Sequence, residues 1–204
     1  SIQNESRAGK TDRIAYSNLL VLDIDGVTLP GHTNPKIYDA KAVATLAKTV
    51  MRELPPAVQD CAFIAQASAS LGLKGDKVSL HIFILLKHAM PAKAVKLWLQ
   101  ASNFESELFS SQLELSSNGH SLKYPLDISV ADNSKLIFIA PPTFEDETHD
   151  PFSTPTERIV SVSGISETLD LAKLMNDISP EVVHQKSNEY KNKLRVLRGF
   201  NAKK

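Results

Sequence analysis

Residues 60–86, "DCAFIAQASASLGLKGDKVSLHIFILL", contain two β-rich apolar runs with a short link between them. The runs at 60–68 and 77–86 are predicted strands, because they are apolar, carry β-branched and aromatic residues and are bounded by turn residues. The link, "ASLGLKGD", is under ten residues long and contains Gly72 and Gly75. Since a parallel crossover needs about a dozen residues or more, the two strands are predicted to be antiparallel neighbours.

The rest of the chain predicts further strands and helices around this hairpin. Apolar residues at helical spacing predict helices at 36–54 and 91–104, and weaker patterns predict helices at 166–177 and 180–198. Strands are predicted at 18–25, 124–130, 135–141 and from residue 159, and residues 1–16 are expected to be a loop or an edge structure. The predicted helices and strands follow one another in a mixed order and include an antiparallel pair of strands, so the predicted fold class is α+β.

Composition excludes several classes of protein. The 204 residues balance 23 Lys and Arg against 23 Asp and Glu, so net charge gives no sign of a nucleic-acid or membrane partner. A single cysteine, Cys61, forbids an internal disulfide and favours an intracellular, cytoplasmic setting. No apolar stretch approaches the roughly 20 residues that span a bilayer, so no membrane partner is expected. The glycine patterns of P-loop ATPases and dinucleotide enzymes are absent.

Two aspartates end the first predicted strand, in "NLLVLDIDGVTLPG" at residues 18–31. Asp23 and Asp25 are two residues apart, so a regular strand places both carboxylates on one face. Two carboxylates that close repel each other, and a divalent cation relieves the repulsion. Hard oxygen ligands of this kind suit Mg²⁺ or Mn²⁺. The alternative is a strand end at which the acids cap the next turn.

A second group of polar residues lies in the hairpin. Ser79 and His81 are also two apart on a strand, and they follow a first strand that ends near Ser68 and Ser70. A histidine inside "LHIFILL" is by itself more often a satisfied core residue, but histidine and serine donors on one face suit phosphate oxygens. These four residues are therefore candidate phosphate-binding residues.

Asp127 in "YPLDISV" is a third candidate carboxylate. It becomes a third carboxylate of the metal site if its strand lies beside the one that carries His81; otherwise it is a turn residue. Asp132 competes for this role, but its place in "ADNS" is better explained by an Asx turn. Arg158, after a proline-rich loop, is a candidate phosphate contact, with an exposed surface arginine as the alternative.

The stretch "LLVLDIDGV" alone resembles the first motif of haloacid dehalogenase-type phosphatases, in which the first Asp, here Asp23, is the nucleophile. The resemblance implies a parallel, doubly wound sheet. The short link at 69–76 leaves no room for the helical crossover that such a sheet requires. The phosphatase therefore stays as the alternative function.

The chain as a whole resembles the archaeo-eukaryotic primase superfamily, the primase-polymerase (prim-pol) domains of phage and plasmid replication proteins. Its three motifs correspond to "LDID" (Asp23, Asp25), "SLH" (Ser79, His81) and "LD" (Asp127), in order over about 105 residues. The resemblance implies an antiparallel sheet like that of RNA-recognition motifs. It also implies that the three aspartates hold two Mg²⁺ or Mn²⁺ ions and that His81 contacts the triphosphate, with assistance from Ser79, Ser68 and Ser70.

The implied activity is DNA-dependent nucleotidyl transfer, which makes or extends primers on a single-stranded DNA template from NTP or dNTP. A fused or separate helicase is the partner common in resembling proteins. The domain division that follows is a catalytic domain at 1–165 and a basic helical segment at 166–204. Four residues of this segment are candidate DNA contacts: Lys191, Lys193, Arg195 and Arg198. A non-catalytic nucleic-acid-binding domain is the third alternative.

Overall fold

The computed structural model describes residues 16–144 and 150–199. The loop or edge structure expected at residues 1–16 lies outside this part of the chain except for Tyr16, as do the last five residues of the basic segment.

A four-stranded antiparallel sheet, with strand order β1-β3-β2-β6, forms the centre of the molecule. Three of its strands are β1 (Tyr16–Thr28), β2 (Phe63–Ala67) and β3 (Lys77–Pro91). A separate two-stranded sheet contains β4 (Glu114–Leu115) and β5 (Leu122–Lys123), and β6 (Ile159–Val162) completes the main sheet. In the β2–β3 pair Gln66 lies opposite His81, so the antiparallel hairpin predicted at 60–86 is confirmed.

In the described part of the chain six α-helices accompany the strands: α1 (Ala40–Met51), α2 (Pro56–Gln59), α3 (Ala92–Glu105), α4 (Glu107–Ser110), α5 (Leu171–Met175) and α6 (Pro180–Leu197). The helices predicted at 36–54, 91–104 and 180–198 are confirmed, and the one at 166–177 is only a short turn of helix. Helix α1 begins four residues later than predicted because Asp39 is its N-cap and accepts a hydrogen bond from Ala42 N–H at 2.7 Å.

The helices cover one face of the sheet. The side chains on that face alternate along each strand and are almost fully buried: Leu20, Leu22, Ile24, Leu80, Ile82, Ile84 and Ala65. They pack against α1 and α3 through residues such as Val50, Trp98 and Leu99. The other face carries His81 and its neighbours and bears exposed apolar side chains such as Ile64 and Leu85. The sheet is therefore open on one side, which is the side that carries the candidate site.

The strand predicted at 124–130 is wrong in its extent. Only Leu126 pairs with β1, opposite Ile24, and the chain then turns into a 3₁₀ helix at Ile128–Ala131. The turn forms because the carboxylate of Asp127 accepts hydrogen bonds from the backbone N–H and the hydroxyl of Ser129, at 2.8 and 2.7 Å. The short bridge still places this segment beside β1, at the outer edge of the sheet. The resulting order is that of a split β-α-β-β-α-β unit, with β6 added beyond β2.

The strand predicted at 135–141 is also wrong. The structure has no regular secondary structure in residues 135–141, although the sequence "KLIFIAP" is rich in β-forming residues. Leu136, Phe138 and Ile139 expose half or more of their surface. The β-propensity of these residues does not produce a strand, because no strand of the described sheet forms backbone hydrogen bonds with this segment.

Helix α6 lies on α3 and on the β4–β5 sheet. A second, smaller cluster of buried residues joins them, including Phe104, Leu115 and Val183, and the rings of Phe104 and Tyr190 stack at 5.4 Å. The division predicted at residue 165 stays a prediction. At this point the chain lies against the residues that precede β2, because the backbone N–H groups of Ile165 and Ser166 both donate to the carbonyl of Asp60.

Within residues 16–144 and 150–199, none of the helices combines the length and the apolar character needed to cross a membrane.

Candidate active site

A row of polar side chains crosses the open face of the sheet. Asp23 on β1 lies opposite His81 on β3, and His81 lies opposite Gln66 on β2. Residues directly opposite in an antiparallel pair project from the same face, with Cβ atoms roughly 5 Å apart. Residues from the first two sequence motifs are thus brought together by strand register.

Asp127 extends this row on the other side of β1. Its N–H donates to the carbonyl of Asp23 at 2.8 Å, and Asp25 N–H donates to Pro125 C=O at 3.2 Å. These bonds flank the Ile24–Leu126 bridge, so Asp127 lies directly opposite Asp23. Asp127 was expected to join the first acids if its strand lay beside the one that carries His81; the segment lies instead on the other side of β1, where Asp127 is opposite Asp23.

Asp25 lies in a β-bulge. Ile24 pairs with Leu80 and Val27 with Val78, so two residues of β1, Asp25 and Gly26, oppose one residue of β3. Gly26 has φ +69°, a left-handed conformation that most side chains disfavour. The regular alternation assumed for Asp23 and Asp25 therefore ends at Asp25. Its carboxylate is exposed but still close enough to raise the pKa values of both Asp23 and His81.

Ser79 stabilises that bulge. Its hydroxyl accepts a hydrogen bond from Gly26 N–H at 2.9 Å, and the residue is 5% exposed. Ser68 lies beside it, donating its N–H to the carbonyl of Ser79, and the hydroxyls of Ser68 and Ser70 are 3.0 Å apart. The three serines thus form a second polar group next to the row. Their contact with a nucleotide stays a prediction.

Gln66 is a site residue that the sequence reasoning missed. It is 5% exposed, belongs to the same row as His81, and donates from Nε2 to the carbonyl of Ile139 at 2.8 Å. The signal was present in the sequence, because a glutamine inside "FIAQAS" is unusual for a buried strand and the hairpin register places it opposite the histidine.

The electrostatics of the row centre on Asp23. Its pKa is raised from 3.8 to about 6, chiefly by burial and also by the carboxylates of Asp127 and Asp25, with a partly offsetting decrease from the ammonium of Lys135. The pKa of Asp127 moves the other way. Burial opposes its ionisation, but hydrogen bonds from Ser129 and Lys135 outweigh this and lower the pKa. The two opposite carboxylates therefore differ in proton affinity.

His81 is neutral at physiological pH. Burial lowers the pKa of the imidazole, against a smaller increase from Asp25. Its Nε2 lies 3.5 Å from an oxygen of Asp23, and its Nδ1 is buried without a hydrogen-bond partner in the described part of the chain. A buried ring nitrogen of this kind is available to a ligand or a bound water.

The donor set fits a hard divalent cation. Asp23 and Asp127 offer two opposite carboxylates, and Asp25 lies close by, so the ligands are oxygens of the type that Mg²⁺ and Mn²⁺ prefer. Within residues 16–144 and 150–199, no three acidic, histidine or cysteine side chains form a group that could hold a metal ion. Lys135, whose ammonium lies 3.1 Å from Asp127 Oδ2, supplies the nearest positive charge.

Arg158 has a structural role in this fold. It is 1% exposed, forms an ion pair with Asp150, and donates to the carbonyl of Ser68 at 3.2 Å. Its guanidinium stacks over the rings of Phe152 and Phe144, at 4.2 and 5.5 Å from their centroids. The alternative of an exposed surface arginine is wrong, since the side chain is buried. Its role as a phosphate contact stays a prediction.

The four candidate DNA contacts on the basic segment divide into two pairs. Arg195 and Arg198 donate to backbone carbonyls of Gly119 and Leu115, so they fix α6 to the β4–β5 sheet. Lys193 is exposed, and Lys191 is half-buried with a long, 3.5 Å hydrogen bond to Asn188. Since α6 lies on α3, which covers the closed face of the sheet, this segment and the acidic row belong to opposite layers.

The raised pKa of Asp23 predicts a pH-dependent stability. Its folded pKa of about 6 exceeds the unfolded value of 3.8, so the folded state binds more protons between these values and loses stability as pH rises through them. Asp23→Asn removes this penalty. In EDTA we expect the variant to be more stable than wild type by about 2–3 kcal/mol at pH 7.5, and equally stable near pH 4. Urea unfolding at a series of pH values measures the difference; a constant difference at every pH would contradict it.

No protein-family model matches the chain, and neither the curated proteins nor the solved structures compared with it give a match.

Proposed function

We propose that the protein is a metal-dependent nucleotidyltransferase of the primase-polymerase kind, which makes or extends primers on single-stranded DNA in the replication of a phage, a plasmid or another mobile element. One observation carries the proposal. Asp127, Asp23 and His81, which come from three separate sequence motifs, lie side by side on the open face of an antiparallel sheet. If the three short motifs were present only by chance, their residues would not be expected to lie next to one another in the structure.

The three aspartates are the proposed ligands of two Mg²⁺ or Mn²⁺ ions. When bound, such ions supply charge neutralisation for the triphosphate and activation of the attacking hydroxyl. The chain's own contribution is to hold Asp23 and Asp127 at fixed positions on two adjacent backbone segments. The hydrogen bonds that Asp127 accepts from Ser129 keep that carboxylate ionised at neutral pH, ready for a cation.

The neutral imidazole of His81 is the proposed contact to the triphosphate of the incoming NTP or dNTP. Its neutrality at pH 7 allows one ring nitrogen to donate a hydrogen bond to a phosphate oxygen without adding charge. Ser79, Ser68 and Ser70 offer hydroxyl groups beside it. A buried Nδ1 without a partner supports a ligand role for this histidine over that of a satisfied core residue.

The phosphatase alternative has less support. It requires parallel neighbours on either side of the strand that ends in the nucleophile, whereas β3 and the Leu126 segment both run antiparallel to β1. Lys87, the lysine that such an enzyme would need near Asp23, pairs instead with Asp170 at 3.7 Å. The partners left as proposals are the single-stranded template, the nucleotide and a fused or separate helicase.

A primer-extension assay tests the proposal. The full chain is incubated with a primed single-stranded DNA template, labelled NTP or dNTP, and Mn²⁺ or Mg²⁺. We expect extension products that disappear on addition of EDTA. Hydrolysis of a phosphate monoester without extension would favour the phosphatase. Binding to DNA without either reaction would favour the non-catalytic alternative.

The basic segment gives a separate prediction about template binding. Neutralising Lys191 and Lys193 with glutamine should weaken single-stranded DNA binding and reduce the slope of log K against log [salt] by roughly 1.4, because two phosphate contacts are lost. Fluorescence anisotropy at several salt concentrations measures both effects. Arg195→Gln is the comparison variant. Arg195 donates to the carbonyl of Gly119, so its replacement should lower the stability of α6 as well as remove a positive charge. Unchanged affinity of the lysine variant at all salt concentrations would contradict the prediction.

A further inference from the structure

Residues 135–144, "KLIFIAPPTF", form an extended segment that lies along the polar row; we call it the strap. Three contacts place it. Lys135 Nζ lies 3.1 Å from Asp127 Oδ2, the carbonyl of Ile139 accepts from Gln66 at 2.8 Å, and the ring of Phe144 lies under Arg158. The strap thus passes from the outer edge of the sheet, across the row, towards β6.

The dimensions agree with such a crossing. Asp127 and Gln66 are three strand spacings apart, roughly 14 Å at about 4.8 Å each. Lys135 and Ile139 are four residues apart, and four extended residues span roughly 13 Å. The strap is therefore extended over the whole acidic part of the row. Asp23 and His81 lie between its two anchors in the row, and their side chains are only 17% and 14% exposed.

The strap is held weakly. Its apolar side chains contribute little packing, because Leu136, Phe138 and Ile139 are 50%, 78% and 65% exposed. No backbone hydrogen bond ties it to a strand of the described sheet. Its hold on the row consists of one ion pair between partly exposed groups and one hydrogen bond, interactions that are individually of modest strength.

Lys135 places a single positive charge beside the acidic side chains of the row. Three carboxylates, Asp23, Asp25 and Asp127, face one ammonium and a neutral imidazole, so the site keeps a net charge of about −2 if all three acids are ionised. One tethered single charge does not neutralise this cluster, whereas a divalent ion does. Lys135 contacts the carboxylate oxygen that the metal would use, and since the ammonium and a cation repel each other, the two compete for Asp127 Oδ2.

We propose that Lys135 is an internal counter-ion that competes with the divalent cation for Asp127, and that metal binding therefore releases the strap from the sheet and opens the site to the nucleotide. This inference rests on the proposed metal-dependent function. In this proposal Lys135 sets the metal affinity by acting through Asp127. Metal binding is then coupled to the access of the nucleotide to the site. The strap's unused β-forming sequence is free to pair elsewhere once released.

Metal binding to the full chain tests the competition. Mn²⁺ is titrated into wild type, Lys135→Met and, as a matched control, Lys96→Met, and free Mn²⁺ is followed by its EPR signal. Lys96 forms a similar ion pair, with Asp132 at 2.8 Å, outside the acidic row. We expect Lys135→Met to bind Mn²⁺ roughly fivefold more tightly, as removal of one partly exposed charge implies, and Lys96→Met to match wild type.

A distance measurement tests the release. Nitroxide labels are placed at Phe138→Cys on the strap and at Lys41→Cys on α1, both exposed positions, while the native Cys61 is buried. Saturating Mg²⁺ should change or broaden the distance distribution in this double variant, and Asp127→Asn should abolish that response. An unchanged distribution with Mg²⁺ bound would overturn the release.

The outcomes separate this inference from the proposed function. Equal Mn²⁺ affinity of wild type and Lys135→Met would overturn the competition and leave the metal site standing. Failure of both proteins to bind Mn²⁺ would remove the metal site and, with it, the inference.

Discussion

Asp23→Asn is expected to reduce primer extension by about a thousandfold while making the metal-free protein more stable at neutral pH. The amide keeps the size of the side chain but loses the negative charge that the proposed metal site needs. A loss of about 4 kcal/mol of transition-state stabilisation corresponds to this factor. The opposite signs of the two effects distinguish a functional residue from a structural one, since the fold tolerates the carboxylate of Asp23 rather than depending on it.

Asp132→Asn is the matched control for this experiment. Asp132 lies in the turn after the 3₁₀ helix and pairs with Lys96, and both side chains are more than a third exposed. Its replacement should change neither extension nor stability by a large factor. Full activity of Asp23→Asn, or equal loss in both variants, would refute the assignment of Asp23 as a metal ligand.

Arg158→Met is expected to lower the free energy of unfolding by about 3 kcal/mol. The variant leaves the carboxylate of Asp150 without its partner, deprives the carbonyl of Ser68 of a donor and removes the guanidinium from between two aromatic rings. Breaking a buried ion pair by deleting one member typically destabilises a protein by 3–5 kcal/mol. Asp150 keeps some solvent contact, so the lower end of this range applies.

Urea unfolding at pH 7.5 measures this loss, with the exposed Arg52→Met as the control that should change stability by less than about 0.5 kcal/mol. If Arg158→Met unfolds like wild type but binds the nucleotide more weakly, then Arg158 is the phosphate contact that the sequence suggested and its burial in this conformation is incidental.

Several features could be predicted because they depend on residues close in the sequence. The hairpin of β2 and β3 follows from a link too short for a crossover, and α1 and α3 follow from the spacing of their apolar residues. The predicted strand at 124–130 failed for a local reason as well. The side chain of Asp127 offered the backbone a competing hydrogen bond at Ser129, which the β-rich pattern did not reveal.

Some features of the candidate site could likewise be predicted from the sequence, and others could not. The sequence predicted that Asp23 and Asp25 end a strand and that His81 lies in the hairpin at 60–86. The strand instead continues to Thr28, and the bulge that separates Asp25 from regular alternation depends on a hydrogen bond between Gly26 and Ser79, 53 residues apart. Gln66 entered the row only through the register of the hairpin. The sequence therefore indicated candidate residues for the site, and the structure decided their geometry.

By itself, the sequence determined the α+β class and the antiparallel hairpin and indicated candidate residues for a metal and a phosphate, since local propensity and link length are written in adjacent residues. Only the tertiary structure decided that Asp127 lies opposite Asp23, that Lys135 pairs with it, and that Arg158 is buried against Ser68, 90 residues away. The physical reason is that burial and ion pairing arise from contacts between distant segments, and no local pattern records which segments will meet.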